Sequence, residues 1–254
     1  MLTIATITPA QGEQYYQQEN YYSQEAALKN SQWWGKGAAS LGLSGQIQNS
    51  VAYKNLIQGK SPDGSQQLRA KPRNKETKER AGIDLTFSAP KSVSLACLVG
   101  GDSRLEEAHR IAVLRTLEII ESRYAQTRVK GERINTGNLT VAMWHHDTSR
   151  EYDPQLHTHC VVMNLTQLPN GKWQSRTDEN LYYNKILLGR IYRQELALEC
   201  QFLGYEIESH PKELFEIKGY TREQIEAFSK RHEQIVKYLE SREINVNTES
   251  KVWA

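Results

Sequence analysis

Three histidines in the middle of the chain have the spacing that could place them around one metal ion. His157 and His159 alternate on a predicted strand from Leu156 to Met163, so both side chains leave the same face, about 6.6 Å apart along the backbone. A second predicted strand, Asn138 to Trp144, returns antiparallel and brings His146 beside this pair. Three imidazoles with open coordination positions are typical of a metal ion that takes part in chemistry.

Two interpretations of these histidines stay open at this level. A His-x-His pair on one strand also occurs where histidines merely line a polar face, and only the third histidine favours a metal site. Asp84 lies on the polar face of another predicted strand, Ile83 to Ser88. It could accept the second ring N–H of a ligand histidine and hold its tautomer, or be an ordinary solvated carboxylate.

Two tyrosine pairs near the start of the chain could supply a nucleophile. Tyr15, Tyr16, Tyr21 and Tyr22 lie in a segment too polar to be core, which is more typical of a stacking or packing surface. A phenol can attack a phosphodiester if its proton is removed and the phosphate is polarised. With a pKa near 10, the phenol carries a handicap of roughly 4 kcal/mol at neutral pH, which a metal-bound phosphate could offset.

The elements that position these residues suggest an α+β domain with a mostly antiparallel sheet, helix-packed on one face. A first strand is predicted at 2–8 with a helix after Pro9, and Asn170-Gly171 predicts a hairpin turn. Predicted helices cover a short stretch after Pro90 and the ranges 105–124, 180–203 and 222–240. The last of these begins with a capping box of Thr221 and Gln224. Short strands are predicted at 206–208 and 214–217.

Charge and cysteine usage limit the class of protein. The formal net charge is only +2, from 32 basic and 30 acidic residues, but the stretch from Lys60 to Arg80 carries seven basic residues against three acidic ones. This stretch predicts either a solvated loop or a phosphate-facing arm. The cysteines at 97, 160 and 200 show no metal-binding spacing and indicate a reduced, cytoplasmic protein. There is no export signal, membrane-spanning run or phosphate-binding loop.

Four motifs in fixed order together resemble a known family. They are the string Asp84-Leu-Thr-Phe-Ser-Ala-Pro-Lys-Ser-Val-Ser94, the His146…Gln155-Leu-His157-Thr-His159 element, Trp34-Gly-Lys-Gly37 with Leu43-Ser-Gly45, and the early tyrosine pairs. The chain resembles the relaxase domain of the MobF class of conjugative relaxases, which are HUH-type endonucleases. The resemblance implies a five-stranded antiparallel palm packed with helices, a basic DNA-binding ribbon, a relaxase domain over 1–245, and the start of a truncated C-terminal extension at 246–254.

The resemblance also implies a reaction. Tyr15 attacks the scissile phosphate at a plasmid transfer origin, forms a 5′-phosphotyrosine and releases a 3′-OH, and the reversal religates the strand. Tyr16 corresponds to its neighbour, and Tyr21 and Tyr22 to a second pair whose reach stays open because only four residues separate the pairs. His146, His157 and His159 hold a divalent ion, Mg²⁺, Mn²⁺, Zn²⁺ or Ni²⁺.

The implied partners are single-stranded DNA and a hairpin at the transfer origin, together with other relaxosome proteins. Asp84 orients a ligand histidine or takes the phenol proton, and sequence does not separate these roles. Base readout is expected from Arg69, Arg73, Asn74 and Lys75. Phosphate contacts are expected from Lys36, Arg80, Lys91, Arg150 and Arg176.

Three rival functions are compatible with parts of the pattern. A replication-initiator or transposase-type HUH nuclease shares the metal and tyrosine chemistry, although the string that begins at Asp84 argues against it. A non-catalytic module would bind single strands by stacking bases on its tyrosines. A histidine-bound metal oxygenase would leave the tyrosine pairs unexplained.

Overall fold

The computed structural model describes residues 1–12, 30–70, 79–149, 151–211 and 214–229. In chain order the elements are β1 (Leu2–Ile7), β2 (Ser31–Trp34), α1 (Lys36–Ser40), β3 (Gly45–Gln46), α2 (Ser50–Ile57), β4 (Gly82–Ser88), α3 (Lys91–Leu98), α4 (Arg104–Tyr124), β5 (Gln126–Val129), β6 (Glu132–Asn135), β7 (Val141–Thr148), β8 (Pro154–Met163), β9 (Thr166–Gln167), β10 (Trp173–Gln174), α5 (Glu179–Tyr183), α6 (Lys185–Phe202), β11 (Ile207–His210), β12 (Leu214–Ile217) and α7 (Arg222–Ala227).

The main sheet is antiparallel and has six strands in the order β1-β4-β8-β7-β2-β3. The α+β class is therefore confirmed, but the expected count of five strands is wrong by one. The additional strand, β3, has two residues and pairs with β2 at the sheet edge. A two-residue strand has no alternation for a sequence pattern to detect.

One face of the sheet carries the larger core. Alternate residues of β4, Ile83, Leu85 and Phe87, are fully buried there against α3, α4 and α6. Helix α4 contributes residues at helical spacing, among them Leu105, Ala108, Ala112 and Leu117. The long helices that the sequence predicted pack on this face, while the short helices α1 and α2 pack on the other one.

The opposite face carries a smaller core that includes Trp33, Tyr53, Trp144 and Val161. Tyr53 of α2 packs edge-on against Trp144 of β7, with ring centroids 5.1 Å apart and planes at 87°. Since the same strands continue past this core, the next residues on this face are free to form a site at its border.

Several local predictions are confirmed and others are corrected. The Asn170-Gly171 turn closes β9 and β10, with Gly171 at a φ of 82°, and Thr221 and Gln224 form the capping box. The helix predicted over 180–203 is instead two helices, which meet at Asn184. The last predicted helix, 222–240, ends at Ala227 in the structure, and 230–240 lie outside the described residues.

Several other short elements were not predicted because their sequences are only weakly periodic. Besides β3, these are β2, the helices α1 and α2, and the hairpin formed by β5 and β6. Within the described ranges, no helix is both long and apolar enough to cross a membrane.

Candidate metal centre

Strands β7 and β8 bring the three predicted histidines together. Strand β7 begins at Val141 and continues through Thr148, further than predicted, so His146 is itself a strand residue. It lies directly opposite His157, while His159 lies opposite Trp144 on the same face. The ring centroids of His146, His157 and His159 are 5.1 to 5.4 Å apart in all three pairs.

This spacing suits a shared ion. With nitrogen-to-metal distances of about 2.0–2.1 Å and near-tetrahedral angles, ring centres would be roughly 5 Å apart. Within the described ranges, no three His, Cys, Asp or Glu side chains already form a metal-binding group. The three ring centres nevertheless have the separations that a shared ion requires.

Hydrogen bonds define which ring nitrogen His157 and His159 present to a metal ion. His157 donates its Nδ1–H to the Gln155 carbonyl oxygen at 2.9 Å, since a carbonyl can only accept. His159 Nδ1 lies 2.7 Å from Asp84 Oδ2, and Thr86 Oγ1 donates to the same carboxylate oxygen at 3.1 Å. In both rings Nε2 is therefore left with its lone pair, the form that binds a metal ion.

Burial favours the neutral form of two of these imidazoles. It lowers the pKa of His146 to about 3 and that of His157 to about 4, and neighbouring histidines lower both further. A neutral imidazole is the metal-binding form, so protons do not compete for His146 and His157 near neutral pH.

Behind the cluster, on the other face of β8, lies a buried hydrogen-bond network. Thr158 Oγ1 is 2.9 Å from His145 Nδ1 and 2.8 Å from His109 Nε2, and His109 Nδ1 is 2.7 Å from the hydroxyl of Tyr192. His145 thus lies on the side opposite to its neighbour His146, as strand alternation predicts. Thr158 is the residue between the two histidines of β8, so this network anchors the strand that presents them.

Replacing Thr158 by valine is expected to lower the free energy of unfolding by about 2–4 kcal/mol. Valine keeps the shape but removes the hydrogen-bond partner of two buried ring nitrogens, His109 Nε2 and His145 Nδ1. Chemical denaturation would measure the change. The matched control Thr3→Val, on the exposed side of the edge strand β1, should stay within about 0.5 kcal/mol. A loss under about 1 kcal/mol for Thr158→Val would show that the network is not part of the framework of the site.

Stability is also expected to fall with acidification below pH 6.5. The folded pKa is lowered for His109, and is about 4 for His145, about 3 for His146 and about 4 for His157. Between about pH 6.5 and 5.5 the unfolded chain takes up protons that the folded chain does not, which costs about 1 kcal/mol for each histidine. Denaturation in a chelator at several pH values would measure this slope, and a flat profile over that interval would contradict it.

Four of the cations that were predicted to contact DNA are paired with other groups of the protein. Arg69 is 3% exposed and pairs with Glu79, and Arg176 is 2% exposed and pairs with Asp178. Arg80 Nη1 lies 2.9 Å from the same Asp178 carboxylate.

Lys91 Nζ donates to the Pro154 carbonyl oxygen at 3.0 Å, and burial lowers its pKa. Each of these four cations is therefore paired with a group of the protein itself, and its contact with DNA stays a prediction.

The side chain of Lys36 is exposed, and a hydrogen bond of its backbone fixes its position. Its N–H donates to Glu121 Oε1 at 2.7 Å, and Glu121 also accepts from the Leu139 N–H at 2.9 Å. A Cβ at Gly35 or Gly37 would collide with the Leu139 carbonyl oxygen, which explains both glycines of this motif. Sequence reasoning missed Glu121, Thr86 and Gln155; only Thr86 carried a signal, since it alternates with Asp84.

The other predicted site residues lie outside the described residues. These are Tyr15, Tyr16, Tyr21, Tyr22, Arg73, Asn74, Lys75 and Arg150.

Comparisons with known proteins agree with this architecture. The family model of the TrwC relaxase matches residues 9–253. The multifunctional conjugation protein TraI of Escherichia coli K12 is 40% identical over 250 residues, which cover 92% of this chain and 14% of TraI. This chain therefore spans about a seventh of the length of that relative.

Solved structures of relaxase TrwC are equally similar. A metal-free complex with oriT DNA matches with a TM-score of 0.87 at 39% identity, covering 99% of this chain and 88% of that one. A metal-bound complex with oriT DNA matches with a TM-score of 0.86 at 40% identity, with the same coverage. This chain thus shares the overall fold of these structures. The chain belongs to the TrwC relaxase family.

Proposed function

We propose that this chain is a metal-dependent DNA relaxase that nicks one strand at a plasmid transfer origin and can rejoin it. The observation that carries the proposal is the group of three imidazoles with Asp84 bonded to one of them. His146, His157 and His159 would hold a divalent ion. When bound, such an ion polarises a phosphate and stabilises the charge that develops on it during transfer.

Asp84 is assigned the role of orienting His159. Its Oδ2 accepts from the Nδ1–H of that ring, and this contact holds the ring in the tautomer that presents Nε2. Since the carboxylate is 6% exposed and already bonded to the ring and to Thr86, taking the phenol proton is the less supported of its two predicted roles.

The nucleophile of the proposal is Tyr15. Its phenol oxygen forms a bond to the phosphorus while the bond from phosphorus to the 3′ oxygen breaks, and the phenol proton is balanced by the proton gained by the released 3′-OH. One phosphodiester replaces another, so the step is near thermoneutral and religation needs no nucleotide. Tyr16, Tyr21 and Tyr22 are proposed to assist or to act in a second transfer.

The DNA contacts of the proposal are assigned to Lys36, which is exposed, and to four residues outside the described ranges. Arg73, Asn74 and Lys75 are proposed to read a hairpin, and Lys36 and Arg150 to contact phosphates. Other relaxosome proteins are proposed as partners, since TraI is a conjugation protein. Three free, buried cysteines suit action in the cytoplasm, and 1–245 is proposed as the relaxase domain.

A cleavage assay tests the proposal. The transferred strand from the origin region beside the gene, labelled at its 3′ end, should form a protein adduct with Mg²⁺ or Mn²⁺ but not with chelator. The same strand labelled at its 5′ end should yield a fragment that a polymerase extends. The complementary strand is the control and should not react. Binding without an adduct would favour a non-catalytic module, and cutting only at a replication origin would favour an initiator nuclease.

A further inference from the structure

Tyr152 is exposed and has an unusual backbone conformation. It is 72% exposed and has a φ of 59°, in the left-handed region that a bulky residue rarely adopts. Among the described residues, Lys130 is the one other non-glycine residue with a positive φ, and the two-residue turn Lys130-Gly131 between β5 and β6 accounts for it. Tyr152 lies in the loop between β7 and β8, at the left-handed position of a tight hairpin turn that glycine or asparagine usually occupies, so the choice of a tyrosine there is what needs an explanation.

The loop around Tyr152 is held by its own hydrogen bonds. The Tyr152 N–H donates to the Ser149 carbonyl oxygen and the Ser149 N–H to the Asp153 carbonyl oxygen, both at 2.9 Å. Ser149 Oγ accepts from the N–H groups of Glu151 and Asp153 at 3.3 and 3.2 Å. These bonds are all made by backbone or by Ser149, so the tyrosine ring contributes none of them. Glycine or asparagine would satisfy the same loop with less strain.

The position of the loop suggests a function for the Tyr152 ring. Strands β7 and β8 carry His146 and His157, and His157 is three residues into β8, roughly 10 Å along the strand. A distance of roughly 10 Å is one to two nucleotides, so this loop is within reach of a DNA strand whose phosphate lies at the imidazoles. Exposed aromatic rings beside such a path are the usual stacking platforms for unpaired bases. Strain kept at an exposed residue is expected where the side chain has a function.

We infer that Tyr152 is a stacking platform for a base of the single strand that crosses the imidazole cluster. The inference rests on the proposed function, because it needs a DNA strand at that cluster. It assigns the ring a contribution to the binding of single-stranded DNA and assigns it no part in the chemical step.

Binding in a chelator, where no strand is cut, tests this role by fluorescence anisotropy. The probe is a labelled oligo-dT of about 20 nucleotides, since stacking tolerates any base. Tyr152→Gly should weaken binding by about 5- to 150-fold. Its Tm should be unchanged or up to about 3 °C higher, because glycine removes the strain. Tyr152→Phe should bind like the unaltered protein, and so should Tyr183→Ala, an equally exposed tyrosine on α5.

The outcomes separate the inference from the proposed function. Unchanged binding by Tyr152→Gly, or a lower Tm that accompanies weaker binding, would overturn the stacking role. Loss of binding by Tyr152→Phe would also overturn it, because the ring is kept. If the unaltered protein fails to bind the probe, the proposed single-strand binding fails and the inference fails with it.

Discussion

Tyr15→Phe is expected to abolish the covalent adduct and to slow strand cleavage by at least about a thousandfold. Phenylalanine has no oxygen to attack the phosphorus, whereas the rings and charges that bind DNA remain. The affinity for uncut single strand should therefore stay within about threefold. The measurement is a denaturing gel of the 3′-labelled strand, together with a binding titration in chelator.

Tyr183→Phe is the matched control for this change, because Tyr183 is 86% exposed and belongs to a helix outside the imidazole cluster. It should form the adduct at the normal rate. If Tyr15→Phe still formed the adduct at a comparable rate, another tyrosine would be the nucleophile. Mapping the DNA-linked peptide would then show whether it is Tyr16, Tyr21 or Tyr22.

His157→Ala is expected to weaken binding of Mn²⁺ by at least about a hundredfold and to reduce cleavage in parallel. The substitution removes one of three nitrogen donors, and the remaining pair, His146 and His159, holds an ion less tightly. Titration calorimetry with Mn²⁺ would measure the affinity. Excess metal should restore part of the cleavage, since an ion at the remaining donors still polarises the phosphate.

His210→Gln is the control for the metal prediction, because His210 lies on β11, away from the cluster. Its Mn²⁺ affinity and cleavage should be normal. If His157→Ala bound Mn²⁺ as tightly as the unaltered protein, the three imidazoles would not be the metal centre. If it lost cleavage without losing metal, His157 would act on the substrate instead.

Local patterns predicted much of the fold. Alternation placed His157 and His159 on one face of a strand, the Asn170-Gly171 pair marked a real turn, and Thr221 with Gln224 formed the predicted capping box. These features depend on residues a few positions apart, so the chain specifies them before any long-range contact forms. The two-residue strand β3 escaped prediction because its existence depends only on its partner β2.

By itself, the sequence determined the residue types and spacing of the histidine cluster. Only the tertiary structure decided how each charged residue is used. Arg69 was predicted to read bases, and Arg176 and Lys91 to contact phosphates, yet each is paired with a group of the protein, in some cases one distant in the chain. Asp84 meets His159 from 75 positions away. A charge pattern gives the number and spacing of cations but not their neighbours, and burial or pairing with those neighbours decides which of them can meet DNA.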